Sequence, residues 1–328
     1  MISKDDTMFD VVALGEFLVD LAPLGNSSRG LVQFEANPGG APANVVSCLS
    51  KLGKKTAFIG KVGSDMFGIM LKKALERQGI CSRGLIADPG LNTTVAFVHL
   101  DEDGERSFSF YRKGCADIAL HPDEIDKSLL NTRIFHLGSL SLTDDPVRSA
   151  TLFALEKLAD SATLISYDPN LRLELWESPK EARRRILEPM HRVDILKVSV
   201  EELEFITGTS DLASGANRLA RDYEIAMVFV TMGAKGCYYR VGEHSGHVPA
   251  FDVQAVDATG AGDAFLGGIL YHILEGLALA KPVCKNEIEK SIRFANAVGA
   301  LVTTKLGAFW SMPGHEEIGQ LMGNQVRG

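Results

Sequence analysis

Apolar and polar positions along this chain follow two periods in turn, and their order predicts its architecture. FDVVALGE, residues 9–16, is a short β-branched run closed by glycine, as expected for a strand buried on both faces. VVSCLSKLG follows with helical period and stops at Gly53, a residue suited to the left-handed turn that ends a helix. TAFIGKVG is the next strand, and FGIMLKKALERQG reads as a helix with Ile69, Leu71, Ala74 and Leu75 as its apolar positions. The alternation continues through RIFHLGSLSL, ATLFALEKLAD, TLISYDPN, the basic helix around EARRRILEPM, DILKVS, ELEFITG and MVFVTMG. Such a series predicts an α/β fold, a mostly parallel sheet covered by helices on both faces.

Two stretches, about 17–36 and 93–112, break that rhythm. In the second, TTVAFVHLDEDGERSFSFYR alternates in both arms around DEDG, the pattern of a β-hairpin. An antiparallel excursion inside a parallel α/β chain predicts a small antiparallel β lid over the ligand crevice; a surface hairpin without a role is the alternative. One face of so thin a sheet must cover the ligand while the other meets solvent or a partner, so a homodimer through the lid is expected. No internal repeat or linker interrupts the chain, and 1–328 reads as a single α/β domain carrying this lid.

Composition narrows the functions available. A net charge of −8 argues against a nucleic-acid surface, so an anion site here must be local, built from backbone amides and a few cations. The five cysteines show no C-x-x-C pairing, and His244 and His247, expected in a glycine-rich exposed turn, make a poor metal site. The opening MISKDDTMFD lacks the basic and apolar regions of a signal peptide, and no apolar run reaches membrane-spanning length. A reduced, cytoplasmic, soluble protein is expected, with no membrane partner.

The strongest chemical signal is AVDATGAGDAFLGGILYHIL. Strand-like QAVD leads through a glycine-rich turn into a long apolar helix, and Gly260, Ala261 and Gly262 let successive amides converge at the helix N-terminus. That end binds anions, because its N–H groups lack partners and the helix dipole adds positive potential. Asp263 in the first turn is then placed to take a proton from an attacking hydroxyl. The same turn would also serve as an ordinary helix start with Asp263 as a capping acid. ANPGGAPANVVSC carries a second such turn: Gly39 and Gly40 permit close approach of a ligand, Pro42 suits a first helical turn, and Asn44 offers an amide. Tight strand-to-helix packing explains that turn equally well. GEFLVDLAP delivers Glu16 and Asp20 as acceptors for vicinal hydroxyls, or as turn acids. Neither G-x-x-x-x-G-K-[ST] nor G-x-G-x-x-G after the first strand occurs, which removes the P-loop reading and weakens a dinucleotide one.

DATGAGDAF resembles the C-terminal signature of the ribokinase-type (PfkB) carbohydrate kinases, and PGGAPAN their N-terminal one. FIGKVGSDMFG, RSFSFYR, SYDPNLR, LKVSVEELEFITG, VTMGAKG and FANAVGAL are similar to that family in its usual order, from about Phe9 to Pro313. GEFLVD, PGGAPANV, YDPNLR and LKVSVEELEF look most like its fructokinase branch. The resemblance implies the ribokinase-like fold and transfer of the ATP γ-phosphate to a sugar hydroxyl, fructose to fructose 6-phosphate, with Mg2+ and an activating K+. Aminoimidazole riboside and 2-keto-3-deoxygluconate kinases are near neighbours, and a sugar-binding regulator without turnover is the alternative from another class. Carried over residue by residue, the family pattern makes Asp263 the base and Gly260, Ala261 and Gly262 the anion hole. Asp20, Gly39, Gly40 and Asn44 would hold the sugar, with Phe110, Arg112 and Arg172 facing it. Glu202, Thr231, Gly233, Gly236 and Asn296 would border the nucleotide and its magnesium. Asp257 and Thr259 would help to hold potassium. Ser199 departs from the asparagine that many members carry and points to the fructokinase-like branch.

Overall fold

A strand buried on both faces must present apolar side chains to two cores, and β1 (Phe9–Leu14) does so by simple alternation. Val11 and Ala13 enter a core built with α1 (Ala41–Lys51), α2 (Met66–Arg77), α7 (Ala261–Leu274) and α8 (Lys285–Thr303). Val12 and Leu14 enter the opposite core, built with α3 (Val147–Lys157), α4 (Pro179–Ile186), α5 (Val200–Thr207) and α6 (Leu212–Asp222). This computed structural model describes residues 8–100, 106–276 and 284–324. The turn DEDG and most of the opening MISKDDTMFD lie outside them.

The main sheet also contains β4 (Thr56–Gly63), β5 (Cys81–Asp88), β8 (Thr132–Gly138), β9 (Leu164–Asp168), β10 (Ile195–Ser199), β11 (Met227–Thr231), β12 (Cys237–Val241) and β13 (His244–Val248). Its order is β13-β12-β11-β10-β9-β8-β1-β4-β5, parallel from β5 through β11 and antiparallel across the last two pairs. From β1 the chain first builds outward through β4 and β5, then returns to lay β8 on the other side of β1. The order therefore reverses between β1 and β8, where an open α/β sheet has its crevice at the carboxyl ends of the strands.

A second sheet stands over that crevice in the order β3-β2-β6-β7, from β2 (Leu18–Asn26), β3 (Val32–Gly39), β6 (Val95–Leu100) and β7 (Arg106–Tyr111). β2–β3 and β6–β7 are antiparallel pairs, and β2 joins β6 in parallel register with Asp20 opposite Ala96. Period-2 alternation turns Asp20, Ala96 and Phe110 to one face. Leu21, Phe97 and Tyr111 go to the other, where Phe97 packs edge-on against Phe34 and Tyr111.

The lid is fixed at its root. Asp65 caps α2 through the Gly68 amide at 2.8 Å and also accepts from the Thr93 amide at 2.7 Å, just before β6. Where β7 ends, Arg112 is buried and donates to Asp117 (2.6 Å), Thr143 (2.7 Å) and the Leu140 carbonyl (2.8 Å). Asp117 in turn accepts from Thr94, so entry and exit of the hairpin share one buried ion pair.

Two local expectations change. QAVD forms no strand: its Val256 and Asp257 amides donate to the Thr303 carbonyl at the end of α8 and meet no sheet edge. His244 and His247 lie on the edge strand β13 rather than in a turn, with His247 against the Lys235 carbonyl.

Candidate active site

Two helices begin at the crevice, and glycine makes both starts possible. Gly40, the N-cap of α1, has φ of 119°, and a Cβ there would run into the Glu16 carbonyl. Gly260, the N-cap of α7, has φ of 79°, and a Cβ there would meet Ala308. α7 is apolar nearly all round and lies between α1 and α8. Gly267 and Gly268 let it approach Cys48 on one side and Ala295 on the other. The two first turns are thereby brought together, and Asn44 Nδ2 of α1 donates to Asp263 Oδ2 of α7 at 2.8 Å.

Around this pair lies a cavity of about 320 Å³. Its floor is Gly260, Gly262, Asp263 and Lys197; its walls include Glu16, Gly40, Asn44 and Asn170; its roof is Asp20, Phe108, Phe110 and Arg172. The first-turn amides of α7 have no acceptor within their own helix; that of Ala261 donates to the Ala258 carbonyl at 3.2 Å, and Gly262 and Asp263 line the cavity. Gly39 packs behind Asp20, close enough that any side chain there would collide with the carboxylate. Phe108 and Phe110 stack at 6.0 Å, and the Arg172 guanidinium lies 5.9 Å from the Phe108 ring.

Burial sets the charge states. It pushes the Asp263 carboxyl up to about 6, helped by the neighbouring Asp168 carboxylate and opposed by the Lys197 ammonium, the Asn44 amide and Arg172. Asp263 is therefore mostly ionised at neutral pH. Burial also raises Glu16, to about 7, although its own backbone amide, Arg112 and the Ala41 N–H at 2.9 Å all favour the ionised form. Burial alone would lower the Lys197 ammonium, but Asp168, Glu202 and Asp263 raise it further and keep it charged.

Most of the sequence-selected residues meet at this cavity: Gly260, Gly262, Asp263, Asp20, Gly40, Asn44, Phe110, Arg172 and Thr259 line it, with Gly39 and Ala261 directly behind. Arg112 does not face it, because the guanidinium is engaged at the lid root. Glu202 is buried beneath Asn170, accepting from the Leu171 amide at 2.7 Å and the Ser199 amide at 2.8 Å, while Ser199 caps α5 in return. Asp257 accepts from the Thr259 and Gly307 amides beside a smaller cavity of about 70 Å³. Thr231, the last residue of β11, stands apart from the larger cavity, as do Gly233 and Gly236 just after it and Asn296 on α8. There the Asn296 amide donates to the Val248 and Pro249 carbonyls, and Gly236 abuts the same segment.

Sequence reasoning did not select Lys197, Asp168, Phe108 or Asn170. Lys197 Nζ donates to both Asp168 oxygens, at 2.9 and 3.1 Å. A lysine inside the apolar strand DILKVS was the available signal, since a fully buried strand has no solvated face for it.

A helix-end cradle beside a buried carboxylate, at the switch point of a parallel sheet and under a β lid, defines a small-molecule kinase of the ribokinase-like fold. The model for the pfkB family carbohydrate kinase domain matches residues 8–313, and the chain belongs to that family. Among its relatives, a probable fructokinase-2 of Arabidopsis thaliana is 42% identical over 314 residues, 95% of each chain. Fructokinase-1 of Zea mays is 43% identical over 315 residues, 95% of this chain and 97% of the relative. Among solved structures, fructokinase with bound ATP from Xylella fastidiosa superposes with a TM-score of 0.87 at 32% identity, covering 97% of this chain and 99% of that one. A double mutant of fructokinase from Vibrio cholerae O395, in fructose, ADP and potassium ion bound form, gives 0.86 at 34% identity, covering 96% and 98%.

Proposed function

We propose that this chain transfers the γ-phosphoryl group of ATP to fructose, forming fructose 6-phosphate. Asp263 carries the reading: an ionised carboxylate on the first turn of α7, held by Asn44 in a cavity of sugar size. Asp263 takes the hydroxyl proton as the sugar oxygen bonds to the γ-phosphorus, and the broken P–O bond leaves its electron pair on ADP. The amides following Gly260 face the charge that develops on the transferred group. Asp20, Gly39, Gly40 and Asn44 hold sugar hydroxyls, Phe110 covers the ring, and Arg172 closes the roof.

Engagement of Arg112 at the lid root supports a neutral sugar. A sugar acid draws its binding from cation–carboxylate pairs, and Arg112, one of the two arginines expected to face the substrate, is turned away. Thr231, Gly233, Gly236 and Asn296 border the nucleotide in this reading, while Glu202 fixes the loops on either side of its phosphate end. No group of three or more His, Cys, Asp or Glu among the described residues is arranged to hold a metal, which fits magnesium arriving on the nucleotide phosphates. When bound, magnesium neutralises charge on the group in transfer. Asp257 and Thr259, beside the small cavity also lined by Asp20, Glu35 and Asn37, offer the oxygen-rich setting that suits potassium.

We also propose a homodimer through the outer face of the lid and a cytoplasmic location. The apolar outer face supports the first, and five unpaired cysteines support the second. No helix among the described residues is long and apolar enough to cross a membrane.

The test is incubation with ATP and fructose, with the product read by ³¹P and ¹³C NMR. Phosphate on carbon 6 is expected. Phosphate at another carbon, or ADP release without sugar phosphate, would contradict the reading.

A further inference from the structure

We propose that Lys197 is a catalytic residue that contacts the phosphoryl group in transfer, and that Asp168 is the residue that positions it. An ammonium has three N–H donors. Lys197 gives two to the oxygens of Asp168, and the third has no acceptor among the described residues. Lys197 is 6% exposed, and what remains exposed lines the cavity. A Cβ built on Gly262 would lie 2.8 Å from Nζ, so the ammonium sits against the first turn of α7, beside the amides of the anion cradle.

Charge balance points the same way. Asp263 in the floor of the site, and Asp168 and Glu202 buried behind it, all act on Lys197. A site with three carboxyl groups in and behind its floor receives a polyanionic nucleotide poorly unless cations stand there, and Lys197 is the cation buried in that floor. Backbone amides contribute partial charges; Lys197 contributes a whole one, at fixed position. The ammonium keeps its proton throughout. Its third N–H is donated to an equatorial oxygen of the group in transfer, while the hydroxyl proton goes to Asp263 and the departing electron pair to ADP. Asp168, accepting two bonds from one nitrogen, fixes the direction of the third.

The inference rests on the cavity being a phosphoryl-transfer site, so wild-type transfer to fructose, or to whichever alcohol it accepts, is measured first. Absence of transfer to any alcohol sinks the site reading and this proposal with it. Given an active wild type, Lys197→Met should lower kcat by about 100-fold or more with both KM values within about threefold. Affinity for ADP, fructose and aluminium fluoride together, a mimic of the group in transfer, should fall in parallel, with ADP alone binding within about threefold of wild type. Lys197→Met leaves the buried Asp168 unpaired and can fail to fold for that reason, so Asp168→Asn/Lys197→Met, which removes the pair together, carries the same expectation. A folded variant with kcat within about threefold of wild type overturns the proposal. So does loss of ADP affinity as large as the loss for the mimic, which marks a structural role.

Discussion

Asp263 and Glu16 are two buried carboxyl groups in one cavity, and their surroundings separate their roles. Asp263 has an amide donor from Asn44 and a cation nearby, and titrates at about 6. Glu16 Oε1 accepts from the Ala41 amide, whereas its Oε2 has no hydrogen-bond partner among the described residues, and burial pushes its carboxyl up to about 7. Asp263→Asn should keep fructose affinity by calorimetry while kcat falls about 10²–10⁴-fold, the usual cost of a lost base. Activity within a few-fold of wild type would remove Asp263 from the chemistry. A base must be ionised to act, so kcat/KM should fall as pH drops through about 6. Asn44→Ala removes a donor to the ionised form and should move that limb to higher pH; a limb that moves down or stays contradicts the assignment. Glu16 governs stability with the opposite sense. Its folded pKa lies above the ordinary 4.5, so its contribution is full below that value and is lost as pH rises through about 7. Glu16→Gln cannot titrate. Its stability relative to wild type should therefore rise between pH 5 and 8, by on the order of 3 kcal/mol in urea melts; a flat difference would show that Glu16 is not held above its ordinary range.

At the scale of elements, the lid and the paired helix starts divide the work. α1 and α7 hold the polar floor because glycines at Gly267 and Gly268 allow α7 to sink between its neighbours. The lid supplies a polar-aromatic roof from one face only. Its other face leaves Phe34 at 43% and Tyr111 at 66% exposure, with Phe97 packed between them. An apolar sheet face of this kind is costly to hydrate, and the proposed dimer would cover it with a second copy of the same face. Sedimentation velocity at micromolar concentration should show a dimer, and Phe34→Lys/Tyr111→Lys should shift it to monomer. A wild-type monomer, or a dimer indifferent to both substitutions, would place the interface elsewhere.

At the scale of the whole molecule, alternation alone located β1, α1, β4 and α2 and the parallel character of the sheet, since these segments bury both faces and their composition says so. The lid was legible as a change of period. QAVD misled because a short segment with one valine before a glycine turn looks like a strand when its hydrogen bonds to Thr303, far along the chain at the end of α8, are invisible from local pattern. Motif residues near Gly260 and Gly40 came together because helix starts and glycine turns are local chemistry. Arg112 could not be placed from sequence: an arginine after a lid strand faces ligand or root depending on Asp117 and Leu140, which only the tertiary fold brings to it. Lys197 was hidden for the reverse reason, its partner Asp168 lying on the neighbouring strand. What joins these scales is a single claim, that the cavity passes phosphate to a neutral ketose. The direct measurement is kcat/KM of the native enzyme with ATP across fructose, tagatose, an aminoimidazole riboside and 2-keto-3-deoxygluconate, with and without potassium. Fructose should lead, with potassium raising the rate. A riboside or the sugar acid exceeding fructose by about tenfold or more, a gap of roughly 1.4 kcal/mol in transition-state binding, would contradict it.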